Sequence, residues 1–423
     1  MNILVLAGNI PATSRMPGSP RLFSLCRVLA RHHRLSLLAH CSSPERQQSF
    51  AADPAATGVF QDVTILADPP PPTWWRRQEH RVRLAPYFVT RYRNPDYHRR
   101  IVDDVARRLA GPGPAQLVYV DGLVMTQYVG GRLPVPVVVD LHDSHTLLYE
   151  RLLAMERRPS RKLPLYLETR SIARWERSLQ GFCDLIITNS AVDEQVVKRL
   201  APSARTMTIA NGVDTDYFAP GADAPDRTRL VFTGVMDYGP NEDAVVHFCE
   251  DVFPHIRRAV PDAEFWAVGP DPSARVRAFD REPGLHVTGK VDDVRPYVRS
   301  AAVFVCPLRS GAGMKNKILA AMAMGRPVVA TSLSLEGIEA RPDEHVLMAD
   351  GPENFAAQVV RLLLDESLGR RLGDKAHRLV TEGYSWNARG EMLVAALQSS
   401  GSPAGLGSRG RASRSPGSGV ATG

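Results

Sequence analysis

Nowhere in this 423-residue sequence does an apolar run approach the roughly 18 residues that a membrane-spanning helix needs. Cysteine is scarce: Cys26, Cys41, Cys183, Cys249 and Cys306 are scattered, odd in number, and form no CxxC pair or His/Cys cluster at metal-ligand spacing. That argues against a disulfide-stapled module or a zinc ribbon and for reduced thiols, most of them packed in a core. No GxGxxG follows any candidate strand, which disfavours a nicotinamide-dependent dehydrogenase. No short repeat period is present. The opening MNILVLAGNI has neither a basic n-region nor a small-residue cleavage site, so it reads as a first buried strand rather than a signal peptide. The expectation is a soluble cytoplasmic chain. Lysine, too, is rare: only six of the 52 basic residues are lysines.

What is present is the composition of an ordinary globular protein, 44% hydrophobic and 23% charged, at a length that suits two domains. Short apolar runs alternate with amphipathic stretches, the pattern of βα units around parallel sheets with helices on both faces. The first half offers strands at 2–8, 34–40, 117–122, 135–141 and 184–190. The second restarts at 229–236 and continues at 263–270, 285–290, 301–308, 326–332 and 345–350. These runs predict an α/β chain of two Rossmann-like doubly wound domains facing across a cleft. The first would cover 1–210 and the second 229–380. A Gly-, Pro- and Asp-rich linker at 211–228 separates them. A C-terminal helix at 381–398 can cross back to the first domain, and a low-complexity tail at 399–423 is expected to be disordered. The formal charge of +7 is uneven: +8 over 1–220, −4 over 221–400 and +3 over the tail.

The most informative stretch is FVCPLRSGAGMKNKILAAMAMGRPVVATS, residues 304–332. An apolar strand runs into a glycine-rich basic loop, then a short helix stopped by Gly325 and Pro327. A loop at the carboxyl end of a parallel strand, feeding a helix N-terminus, is where doubly wound sheets bind phosphates. Gly311 and Gly313 allow close backbone approach, and Arg309, Lys315 and Lys317 add cations beside Asn316. Two of the six lysines fall in this one three-residue window.

Residues 307–338 resemble the nucleotide-sugar site of family-4 glycosyltransferases, which have the GT-B fold, and in particular the bacterial exopolysaccharide-cluster sugar transferases. Further similar blocks follow in order: LHDSHTLLYERL (141–152), CDLIITNSAVDE (183–194), IANGVDTDYFAPG (209–221), FTGVMDYGPNEDAV (232–245), HVTGKVDDVRPYV (286–298) and YSWNA (384–388). The resemblance implies a nucleotide-sugar donor held by the C-terminal domain and a saccharide or lipid-linked acceptor on the N-terminal one. Hexose transfer in cell-surface or exopolysaccharide biosynthesis would follow, with retention and without a metal or other cofactor. Lys317 and Lys315 would neutralise the leaving diphosphate, with Arg309 in support. Gly234 would let the chain pass close to the phosphates, and Asn241 would supply a polar contact. Gly289 and Val291 would frame the base. His142 and Asp143 would face the donor sugar, with His145 as a substitute. Arg15, Gly18 and Arg21 would flank an acceptor loop. The acids of DTD (214–216) match the family's linker, so no metal is expected there.

Two departures matter. Related sequences carry glutamates where this chain has Ala312 and Ala320, the second bonding the nucleotide ribose. Its loss would cost about 1.5–3 kcal/mol of binding, roughly ten- to a hundredfold. The alternatives are therefore a catalytically weakened nucleotide-sugar-binding or regulatory protein, and a nucleotide-sugar epimerase of the same fold. Separately, residues 74–100 carry eight arginines interleaved with aromatics. This suits an anionic membrane surface on the inner face of the membrane or an anionic acceptor. No nucleic-acid-binding motif accompanies it, so nucleic acid is not expected as a partner.

Overall fold

The computed structural model describes residues 1–11, 20–67, 86–87, 89, 94–131, 133–222, 225–311 and 313–400, with residues 399 and 400 by backbone only. Its first sheet is built from β1 (Asn2–Ala7), β2 (Arg34–His40), β3 (Asp62–Leu66), β4 (Leu117–Asp121), β5 (Val137–His142), β6 (Leu185–Thr188) and β7 (Thr206–Thr208). The second contains β8 (Asp226–Thr233), β9 (Glu264–Val268), β10 (Leu285–Gly289), β11 (Ala301–Cys306), β12 (Val328–Ala330) and β13 (Leu347–Met348). Among the described residues the strand orders are β3-β2-β1-β4-β5-β6-β7 and β10-β9-β8-β11-β12-β13, with every pairing parallel. Both are doubly wound. In each, the winding reverses between the first strand of the sheet and its fourth, so loops leaving those strands diverge and open a crevice at their carboxyl ends.

The central strands are apolar from end to end because helices cover both faces. Leu4, Val5 and Leu6 of β1 and Val303, Phe304 and Val305 of β11 are fully buried. Helices that matter for the site are α1 (Arg21–Leu29), α2 (His145–Met155), α3 (Pro159–Ser178), α4 (Ala191–Leu200), α5 (Gly239–His247), α6 (Asn316–Ala323), α7 (Glu366–Gly383) and α8 (Trp386–Ser400).

β8 begins at Asp226, three residues before the strand start expected at 229, and the connection before it is clamped rather than slack. The Arg295 guanidinium lies 3.9 Å from the Tyr217 ring centroid and donates to the Tyr217 carbonyl at 3.2 Å, while Arg299 Nε donates to the Ala219 carbonyl at 2.9 Å. At the other end, α8 returns to the first domain. Trp386, Leu393 and Leu397 enter the same core as Leu25 and Val28 of α1. Gly390 lies so close to Val28 that a Cβ would stand 2.4 Å from it, a contact only glycine permits.

The tightest polar knot also joins the domains. Arg21, first residue of α1 and 1% exposed, grips Asp140 through Nε at 2.9 Å and Nη2 at 3.0 Å, and reaches Asn211 of the connection through Nη1 at 3.0 Å. Tyr119 donates to the same carboxylate at 2.7 Å. Burial alone would raise the Asp140 pKa, but the Arg21 charge outweighs it and holds the carboxyl below its usual value. Arg21→Ala leaves the buried Asp140 carboxylate without its guanidinium counter-charge. It should lower unfolding stability by about 3–5 kcal/mol in urea denaturation, and Arg21→Lys should fail to restore the bidentate pair. An unchanged midpoint in both variants would contradict this role.

Candidate functional site

The carboxyl end of β11 leads through residues 307–315 into α6, at the crevice between β8 and β11. No side chain caps α6; its Ile318 N–H bonds the Lys315 carbonyl at 2.9 Å, which leaves the Asn316 and Lys317 N–H groups as those an anion can take. Gly311 and Gly313 adopt left-handed φ of 115° and 73°, which the turn requires.

Lys317 is the centre of this arrangement. Its Nζ donates to Asn241 Oδ1 at 2.8 Å and stands 4.0 Å from the Phe232 ring centroid. Asn241 is oriented by its own Nδ2, which donates to the Val235 carbonyl at 2.8 Å. Gly234 follows β8 directly beneath: a Cβ there would lie 2.9 Å from Lys317 Nζ and 2.7 Å from Asn241 Nδ2. Burial, with a smaller push from Lys315, brings the Lys317 ammonium down to about 8. Among the described residues no carboxylate pairs with it. Lys315 is also buried, and its Nζ donates to the Gly313 carbonyl. Burial lowers its pKa, partly offset by Glu336 and Asp143.

Across the crevice, β5 ends in His142 with a φ of 64°, rare for a residue with a side chain. Its backbone N–H donates to Asp140 at 3.2 Å, and its Nε2 lies 2.7 Å from Asp121 Oδ1. Burial would depress the imidazole, but Asp121 and Asp140 outweigh it and hold the pKa above the ordinary value. Asp143 faces the other domain: a Cβ on Gly313 would stand 3.0 Å from Asp143 Oδ2, and Asp143 Oδ1 is buried without a hydrogen-bond partner among the described residues. The loop is fastened from behind. Glu176 of α3 accepts from the Ser144 hydroxyl at 3.0 Å and the His145 N–H at 2.8 Å, and Asp193 of α4 accepts from the Ser144 N–H at 2.8 Å. Burial raises the pKa of both acids.

The structure thus brings Gly234, Asn241, Asn316, Lys315 and Lys317 together, with Asp143 at Gly313. Gly289, with a φ of 67°, ends edge strand β10, and Val291 packs against the second domain's core. A cavity of about 290 Å³ adjoins Lys317, lined among others by Thr233, Asn316, Ala320, Val294 and Trp386. Two expectations need correction. The Arg309 guanidinium is engaged by Asp243 of α5, bonding it at 2.6 and 3.1 Å in an ion pair that leaves both side chains partly exposed. Arg21 is not offered to an acceptor, since its charge is held by Asp140. Arg15, Gly18, Ala312, most of 74–100 and the tail beyond residue 400 lie outside the described residues. Asp214 caps its own turn, accepting from the Tyr217 N–H at 3.0 Å. Among the described residues no group of three or more His, Cys, Asp or Glu could hold a metal ion, and no helix is long and apolar enough to cross a membrane.

Sequence reasoning missed Asp121, Asp140, Glu176 and Asp193. Asp121 and Asp140 were signalled as acids closing or interrupting the apolar runs of β4 and β5, where a charge must have a buried partner.

Comparison with known proteins now gives this geometry a class. Two Rossmann-like domains meeting at their strand carboxyl ends define the GT-B fold. The sucrose-phosphate synthase of Thermosynechococcus elongatus superposes with a TM-score of 0.67 at 16% identity, over 94% of this chain and 98% of that one. Anabaena HepE in complex with UDP superposes with a TM-score of 0.64 at 13% identity, over 94% and 100%. Residues 227–365 match the family model described as Glycosyl transferases group 1. A lipopolysaccharide core biosynthesis glycosyltransferase of Rhizobium meliloti is 31% identical over 137 residues, covering 30% of this chain and 40% of the relative. A phosphatidyl-myo-inositol mannosyltransferase of Mycobacterium tuberculosis is 27% identical over 199 residues, covering 44% and 52%. The chain therefore spans about half or less of the length of these curated relatives.

An anion that binds the charged form of Lys317 must lose affinity as the free ammonium deprotonates. Nucleoside diphosphate affinity should fall as pH rises through about 8, and Lys317→Met should bind weakly with a flat profile. Isothermal titration across that range checks this; a flat wild-type profile would contradict it.

Proposed function

We propose that this protein transfers a hexose from a nucleotide-sugar donor to a saccharide or lipid-linked acceptor. We place that activity in cell-surface or exopolysaccharide biosynthesis, at the inner face of the membrane. The observation that carries this reading is the Lys317 ammonium, buried beside a glycine and an uncapped helix N-terminus, with no acid to neutralise it among the described residues. A diphosphate is the ligand class that satisfies all three.

In the reaction, the C1–O bond to the diphosphate breaks with its electron pair left on the phosphate oxygen. Lys317, Lys315 and the α6 N–H groups offset that charge as it develops, so no metal is required. The acceptor hydroxyl forms the new bond to C1 and its proton passes to the departing phosphate oxygen, with retention. His142, held by Asp121, and Asp143, whose Oδ1 has no donor among the described residues, bond the sugar hydroxyls. Gly289 and Val291 frame the base.

One observation favours a second reading, a nucleotide-sugar-binding protein of weakened activity. Ala320 lines the cavity beside Lys317 and offers no acceptor to a ribose. Nucleoside diphosphate release from UDP-, GDP- and ADP-sugars separates the two. Turnover that Lys317→Ala lowers about a hundredfold without loss of melting temperature supports transfer. Saturable binding with no turnover supports the second reading; no binding of any nucleoside diphosphate overturns both, and full activity in Lys317→Ala removes Lys317 from the mechanism. Ala320→Glu should tighten nucleoside diphosphate binding about tenfold by restoring a charge-assisted hydrogen bond.

A further inference from the structure

Most large apolar side chains left exposed on this molecule need no explanation, but five of them cluster on one hairpin. Leu152 and Met155 project from α2, and Leu163, Tyr166 and Leu167 from α3, at 44, 63, 63, 44 and 46% exposure. On α3 they fall at i, i+3 and i+4, with Arg170 at i+7 laid over the Tyr166 ring at 5.9 Å. The turn between the helices is fully open: every residue from 157 to 164 is exposed, and among them stand Arg157, Arg158, Arg161 and Lys162. Tyr87, 42% exposed, is tied to the same helix by its backbone N–H, which donates to Glu168 at 2.7 Å. An apolar stripe edged by cations at one protruding tip combines the two forces that hold a protein at a lipid interface.

We propose that the α2–α3 hairpin docks on an anionic bilayer, with Leu163, Tyr166 and Leu167 entering the interface and Arg157, Arg158, Arg161 and Lys162 meeting the headgroups. Charge decides the occupant. In a two-fold contact with a second copy the four cations would face their own kind, whereas anionic headgroups complement them. The hairpin is also placed to serve the crevice. α2 starts at the loop that carries His142 and Asp143, and its 11 residues span roughly 16 Å. Arg151 then bonds Glu336 of the second domain at 2.9 Å, across the opening. A chain docked through this tip holds the crevice mouth close to the bilayer, where a lipid-linked acceptor would lie. Only that last step rests on the proposed transfer.

The test uses the full chain and vesicles of phosphatidylcholine alone or mixed with phosphatidylglycerol. Co-sedimentation is expected with the mixed vesicles only, and to weaken as salt is raised. Leu163→Asp with Leu167→Asp, and separately Arg157, Arg158, Arg161 and Lys162→Ala, should each reduce the bound fraction about tenfold or more. Melting temperature and nucleoside diphosphate release should stay at wild-type levels in both. Failure of the wild type to bind phosphatidylglycerol vesicles, or wild-type binding by both variants, overturns the inference. So does a dimer in sedimentation velocity that the leucine changes dissolve, since a second copy would then cover the patch. Vesicle binding through these residues by a chain that hydrolyses no donor leaves the inference standing and refutes hexose transfer.

Discussion

A buried ammonium with one amide and one ring face for company is unstable to deprotonation, and the crevice of this protein is organised around that fact. Phe232 and Gly234 bring β8 under Lys317, and Asn241 supplies its hydrogen bond. The winding reversal between β8 and β11 opens the space above it. Partial burial of Lys317 makes its attraction to an incoming anion stronger than that of a fully exposed lysine. The glycine is part of the same constraint. Any side chain at 234 would occupy the position from which Lys317 and Asn241 are approached.

The second domain alone would not make a reaction site. Arg21, Asp140 and Asn211 tie the first sheet to the interdomain connection, and α8 packs back against α1, so the carboxyl ends of both sheets are held face to face. Asp143 therefore meets Gly313 across the crevice. His142 takes its unusual backbone conformation because the Asp140 carboxylate bonds its N–H while Asp121 bonds its ring. One buried acid thus both anchors the frame and shapes the loop that the sugar would meet.

The fold was legible because parallel strands covered on both faces must be apolar throughout, and because Gly8, Gly122 and Gly234 mark where β1, β4 and β8 end. The lysine pair was legible because lysine is so rare in this chain. What sequence could not show was where each arginine spends its charge. Arg309 stands in the anion loop but lies nearest Asp243, 66 residues away, and Arg21 stands beside a glycine-bearing loop but lies nearest Asp140, 119 residues away. Pairings at such separations are set by helix packing, which no local pattern encodes. Glu176 was hidden for the same reason: in sequence it is one acid among basic residues of α3, and only packing puts it behind Ser144 and His145.

The crevice and the cationic apolar hairpin lie at opposite ends of α2, so the proposed donor site and the proposed docking surface would sit at the two ends of one short helix. The most direct measurement of the central claim is a crystal structure with a nucleoside diphosphate bound. The account predicts the two phosphates over Gly234, within salt-bridge distance of Lys317 Nζ and bonded by the first N–H groups of α6. A diphosphate seated elsewhere, with Lys317 still bonded to Asn241 alone, would contradict it.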